Sequence, residues 1–103
     1  MVRTGHLTVQ LRASPCGSIF ARLEPEGANV APFVPDFGDS EFPLLSLVDP
    51  YGNTFFSSYQ MAGVIPEIAQ KATKSAEQLL SQLMGLAITC RDRPHSYLVF
   101  IGD

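Results

Sequence analysis

The stretch His6-Leu7-Thr8-Val9-Gln10-Leu11-Arg12 decides the fold class. Leu7, Val9 and Leu11 alternate with His6, Thr8, Gln10 and Arg12, so one face is apolar and the other polar. A period of two is the pattern of a strand half covered by a core, because successive side chains of a strand point to opposite faces. Just downstream, Ser14-Pro15-Cys16-Gly17 carries turn chemistry, and Ile19, Ala21 and Leu23 resume the alternation. The two runs therefore predict an antiparallel hairpin.

Further out, Phe42 to Val48 reads as a third strand that ends at Asp49-Pro50-Tyr51-Gly52. Asp at the first position, Pro at the second and Gly at the fourth are what a type I turn prefers. Thr54 to Ser57 then reads as a short return strand. Beyond it the period lengthens to about 3.6, with Val64, Ile65, Ile68, Ala69 and Ala72 along one stripe, which predicts a helix over 62–72. Pro66 is tolerated if the helix starts near Ala62, because the first amides of a helix have no partner inside it.

Ser75 followed by Gln78 is a capping-box pattern, and Leu79, Leu80, Leu83, Met84, Ala87 and Ile88 follow at core spacing, predicting a second helix over 76–91. It must stop before Pro94, since the residue preceding a proline is pushed out of the helical region. The final run Tyr97-Leu98-Val99-Phe100-Ile101 is apolar on both faces, as in a covered or central strand. The fold class is thus α+β: a mainly antiparallel sheet of about five strands with two helices packed on one face, in the order β-β-loop-β-β-α-α-β.

With 103 residues, 46% of them hydrophobic and 17% charged, the chain suits a single domain over 1–103 with one core. No apolar run approaches the roughly 20 residues of a membrane-spanning helix, and the N-terminus lacks a secretory leader, so the expected compartment is cytoplasmic. Cys16 and Cys90, 74 residues apart, read as free thiols rather than a disulfide framework. A net charge of −3 disfavours nucleic acid as a partner, because phosphate binders present clustered basic residues.

The segment 24–41 stands apart. It holds three prolines and two glycines without sustained periodicity, and loops of this length are uncommon inside compact domains unless functional. A short edge strand near Asn29 to Val34 is one element it could hide. Glu24, Glu26, Asp36, Asp39 and Glu41 all fall within it and no Lys or Arg does, giving the segment a charge of −5 against +2 for the rest. Phe33, Val34 and Phe37 are interleaved with these acids. Such a loop fits a binder of a basic protein surface, the charges steering encounter and buried aromatics supplying affinity. The alternative is that Phe33 and Phe37 tuck the loop onto the core while the carboxylates keep it solvated.

Catalytic chemistry finds little support. A nucleophilic Cys16 would need a base, and nothing in the sequence places His6 or His95 beside it; Cys90, at helical spacing from Leu83, Leu86 and Ala87, reads as a small core residue. The four Cys and His residues lack paired metal-ligand spacing, and no phosphate-binding or nucleophile-elbow motif is present, so no metal or cofactor is expected. Asp49 and Asp103 could be an acid/base pair, but Asp49 is better explained as organising its own turn. His95, after Pro94, is expected to open the last strand and bond to the backbone.

The segments Asp49-Pro50-Tyr51-Gly52-Asn53-Thr54-Phe55-Phe56 and Pro94-His95-Ser96-Tyr97-Leu98-Val99-Phe100-Ile101-Gly102-Asp103 resemble two segments shared by small bacterial proteins without an established function. The resemblance covers mainly the C-terminal 60 or so residues. It implies a bacterial source and a natural C-terminus, and it brings no catalytic residues.

Together these readings predict a protein-interaction module rather than an enzyme, of an immunity or antitoxin-like kind, that covers a basic partner through Glu24, Glu26, Phe33, Asp36, Phe37, Asp39 and Glu41. Two alternatives stand beside it. One is a structural or accessory subunit that homodimerises through a sheet edge or the C-terminal strand; the other is a small enzyme using Cys16 or a carboxylate pair.

Overall fold

The computed structural model describes residues 6–13, 17–24, 28–74 and 77–102. Four strands, β1 (Leu7–Arg12), β2 (Ile19–Arg22), β3 (Asn53–Ser57) and β4 (Tyr97–Gly102), form one antiparallel sheet in the order β2-β1-β4-β3. Two helices, α1 (Met61–Lys74) and α2 (Gln78–Asp92), lie between β3 and β4 in the chain. The fold is α+β, as its periodicities predict.

Leu7, Val9 and Leu11 of β1 are fully buried while Thr8, Gln10 and Arg12 stay half-buried, so the alternation reports the real faces. The register pairs Val9 with Phe100 and Leu11 with Leu98, and Leu98 with Phe56 on the far side. These apolar residues share one cluster with Met61, Val64 and Ile68 of α1 and Leu83, Ala87 and Cys90 of α2. The helices therefore cover one face of the sheet. Phe56 and Phe100 meet edge to face, with ring centroids 5.8 Å apart, a geometry aromatic pairs favour.

The expected hairpin of β1 and β2 forms, with an irregularity opposite Leu11 and Arg12. Residues 14–16, which hold its expected turn chemistry and Cys16, lie outside the described residues. The expectation for the last strand also holds: β4 is central, paired to β1 along one edge and β3 along the other.

The fifth strand does not form, and the expected element order changes with it. Phe42 to Val48 is not extended; it makes consecutive turns ending in a 3-10 helix over Leu45–Leu47. The cause is Glu67. Its carboxylate, on α1 and only 7% exposed, accepts hydrogen bonds from the N–H groups of Leu44 (3.1 Å) and Leu45 (2.9 Å), which caps that 3-10 turn. Phe42, Leu45 and Val48 are the buried apolar members, three residues apart, a 3-10 spacing rather than a strand's. The Lys71 ammonium, one turn beyond Glu67, sits 4.7 Å from the Phe42 ring centre. With this segment held by α1, β3 pairs with β4 and not with its predecessor in the chain.

The edge strand considered near Asn29 to Val34 is also replaced by a 3-10 turn, Ala31–Phe33. Helix boundaries move as well. Ser57 and Gln60 form a capping box around a 3-10 turn, Ser58–Gln60, that runs directly into α1, so Pro66 lies inside the helix rather than in its first turn. The carbonyl deprived of that N–H belongs to Ala62, which is exposed, where water can replace the donor. For α2 the N-cap is Glu77 and not Ser75, which lies outside the described residues. The helix ends at Asp92, before Pro94.

Substitutions at three positions test this packing. Glu67→Ala removes the carboxylate that Leu44 and Leu45 bond to, and is expected to cost about 2–4 kcal/mol, seen as a lower denaturation midpoint with an unchanged slope. Glu67→Gln, which keeps an acceptor oxygen, should lose less. Gly102 is the close-approach glycine: a Cβ there would run into the carbonyl of Pro50 and lie 2.9 Å from that of Asp49. Gly102→Ala should therefore destabilise by about 1–3 kcal/mol. Gly85, inside α2 with open space around it, should behave oppositely, with Gly85→Ala stabilising by about 0.5–1 kcal/mol in the same melts.

Candidate functional site

After β2 the chain stays beside β1. Leu23 N–H donates to the carbonyl of Val9 (3.3 Å), and Val30 N–H to that of Leu7 (2.8 Å). Asn29 Oδ1 accepts from both Leu7 N–H (2.9 Å) and Ala31 N–H (3.0 Å), so one side chain ties the segment to β1 and starts the next turn. Leu23, Val30, Ala31 and Val34 are buried. Residues 29–34 of the segment that reads as an irregular loop are thus a seam of the core, bonded to β1 and within their own turn.

Among the described residues of the segment, 36–41 form a projecting pair of turns. Asp39 N–H donates to the carbonyl of Asp36 (3.1 Å), closing a tight turn with Phe37 and Gly38 at its centre. Gly38 has φ +82°, the left-handed value that the third position of a type II turn requires and that glycine adopts without a Cβ penalty. A second turn follows at once: Phe42 N–H donates to Asp39 C=O (3.1 Å) and Glu41 N–H to Asp39 Oδ1 (2.9 Å). Phe37 consequently stands at a tip with 80% of its surface exposed, between Phe33, which packs against the core, and Phe42, which is buried in it.

The residues expected to bind a partner therefore separate. Asp36, Phe37, Asp39 and Glu41 share one pair of turns. Phe33 serves the core, as the alternative reading had it, whereas Phe37 does not. Glu24 is held elsewhere, its backbone N–H and C=O both bonded to the Gln82 side chain of α2 (2.7 and 2.9 Å), beside an open depression lined also by Ala28, Gln78 and Leu79. Glu26 lies outside the described residues. Sequence reasoning passed over Glu67 and Lys71, which hold the far end of the loop. A charged residue between Val64 and Ile68, on the apolar stripe, was the available signal.

Of the residues weighed for chemistry, Asp49 has a structural role. Asp49 Oδ1 accepts the N–H of Tyr51 (2.9 Å), organising its own turn as expected, and Gly52 leaves room for the carboxylate. His95 does not open β4; it is exposed and has φ +67° in a turn closed by Ser96 N–H to Arg93 C=O (3.2 Å). Asp103 lies outside the described residues. Among the described residues no cluster of His, Cys, Asp and Glu could hold a metal ion, and no helix is long and apolar enough to cross a membrane. The two segments that carry the bacterial resemblance are neighbours in space, joined by the β3–β4 ladder and by Gly102 N–H to Gly52 C=O (2.8 Å). No protein-family model, no curated protein and no solved structure matches the chain.

Cys90 is completely buried, and Ser96 Oγ, which donates to Arg93 C=O (2.6 Å), stands 3.4 Å from its sulfur. Burial pushes the thiol pKa up, outweighing the opposing pull of Ser96. Below about pH 8.5 folded and unfolded thiols are both protonated. Above it the unfolded thiol ionises while the folded one keeps its proton, so stability is lost as pH rises through the interval between the two pKa values. The stability difference between the wild type and Cys90→Ala should accordingly narrow from pH 8 to pH 10 in denaturant titrations; a constant difference would show that the buried thiol does not titrate with folding.

Proposed function

We propose that this protein is an interaction module that covers a basic surface on another protein with the paired turns at 36–41, in the manner of an immunity or antitoxin-like inhibitor from a bacterial cytoplasm. The observation that carries the reading is the placement of Phe37. A solvated loop has no use for an aromatic side chain held 80% exposed by a glycine at φ +82°, when Phe33 and Phe42 on either side are drawn into the core.

Asp36, Asp39 and Glu41 surround that side chain in sequence, and no Lys or Arg occurs between Arg22 and Lys71. Such a surface attracts a cationic partner at long range, and the aromatic ring then fills a pocket where most of the contact energy is gained. The turns are anchored at both ends, by Asn29 bonded to Leu7 of β1 and by Glu67 and Lys71 of α1, so little conformational entropy is lost on binding.

The test begins with the partner that wild-type protein retains from its native cells, purified and identified, followed by calorimetric titration at several salt concentrations. Phe37→Ala should weaken binding by about 30-fold or more, the scale of a hot-spot residue. The combined change Asp36→Asn, Asp39→Asn and Glu41→Gln should slow association and flatten its salt dependence. Unaltered affinity in both variants, with the fold intact, would remove the turns from the binding surface.

A further inference from the structure

β3 is an edge strand whose free side is described by its bonds on the other. Gly102 N–H donates to Gly52 C=O (2.8 Å) at one end of the β3–β4 pair, and Ser58 N–H to Ser96 C=O (3.1 Å) just past the other. Hydrogen-bonded residues alternate along an antiparallel ladder. Gly52, Thr54, Phe56 and Ser58 thus turn their backbone groups toward β4, and Asn53, Phe55 and Ser57 turn theirs outward. The Ser57 N–H is already taken by Gln60 Oε1 (2.8 Å). The Ser57 C=O, as N-cap carbonyl of the turn Ser58–Gln60, accepts the first bond of that turn, which leaves the N–H and C=O of Asn53 and Phe55 for another strand.

Natural sheets blunt such edges with charges, prolines, bulges or shortness. β2, the opposite edge, is treated in this way: it has four residues, an irregular register, Arg22, and Arg93 stacked 3.7 Å over the ring of Phe20. β3 has none of these devices. Its register is unbroken, and from Pro50 to Pro66 the chain carries no charged side chain. Phe55 is 39% exposed at its centre, while Tyr51 and Tyr59, four residues to either side, are 79% and 81% exposed.

We propose that β3 is a self-association edge, on which a second copy of this chain pairs antiparallel about a two-fold axis at Phe55. The spacing is self-complementary about that residue. Phe55 pairs with its own counterpart through reciprocal backbone bonds, and Tyr51 comes to the end of the interface that holds the other copy's Tyr59. An isologous contact meets every group twice, so an uncharged, palindromic edge suits another copy of itself, where a charged one would repel it. β4 is shut out of this role, since both its edges are used. The inference is independent of the 36–41 turns.

Sedimentation velocity of the full chain from about 1 to 300 µM tests it. The wild type should move from 11.2 kDa toward twice that mass as concentration rises. Phe55→Lys should weaken association by about 30-fold, replacing a facing aromatic pair with facing like charges, with circular dichroism unchanged. A second pair of variants uses side chains that contribute nothing to the core: Tyr51→Lys with Tyr59→Glu should still dimerise, and Tyr51→Lys with Tyr59→Lys should not at low salt. A strictly monomeric wild type overturns the proposal. So does a folded Phe55→Lys variant that associates like the wild type, or equal association of the two double variants.

Discussion

The position of β4 is the constraint from which the rest of the structure follows. A strand in mid-sheet must have backbone partners on both sides, because an unpaired buried N–H or C=O costs about as much as a lost hydrogen bond. β4 finds them in β1, nearly a chain length away, and in β3 across the helical pair. Its Leu98 and Phe100 then face the helices, while Val99, fully buried on the opposite face, is flanked by Gln10 and Phe55. A strand apolar on both faces is therefore used on both. Its end also requires Gly102, since the 49–52 turn crosses closely enough to exclude a Cβ.

Beside the sheet, a single carboxylate decides the course of the acidic half of the chain. Glu67 is buried because the amides of Leu44 and Leu45 replace the water it gives up. Holding those amides makes 42–48 a set of tight turns, brings Phe42 beneath Lys71, and frees β3 to join β4. The projecting turns at 36–41 end just before this anchor. The exposed Phe37 therefore stands close to a rigidly held segment.

The readable parts of the sequence were those in which local pattern and tertiary role agree. The alternation over residues 7–11 marks β1 because one face meets the core and the other does not. The stripe of Val64 and Ile68 marks α1, and the Asp49 turn is a local hydrogen bond that needs no long-range help. The misread segment, 42–48, is where they part: its short apolar run suits a strand or a 3-10 turn equally, and the deciding group lies more than twenty residues away on α1. The start of α1, expected near Ala62, falls at Met61, directly after the turn that Ser57 and Gln60 cap. Of the residues expected to meet a partner, Phe33 and Phe37 are alike in sequence; only the turn at Gly38 and the seam along β1 send one inward and the other out.

The sequence by itself determined the class of fold, the identity of the four strands and two helices, and the concentration of negative charge in one segment. These are properties of nearest neighbours and short periods, written in the order of the side chains. Tertiary structure alone decided the strand order, the loss of a fifth strand, which sheet edge stays bare, and which aromatic residue faces solvent. Each of these depends on contacts between residues distant in the chain, where a buried carboxylate or a central strand outweighs the weak preferences of a short segment.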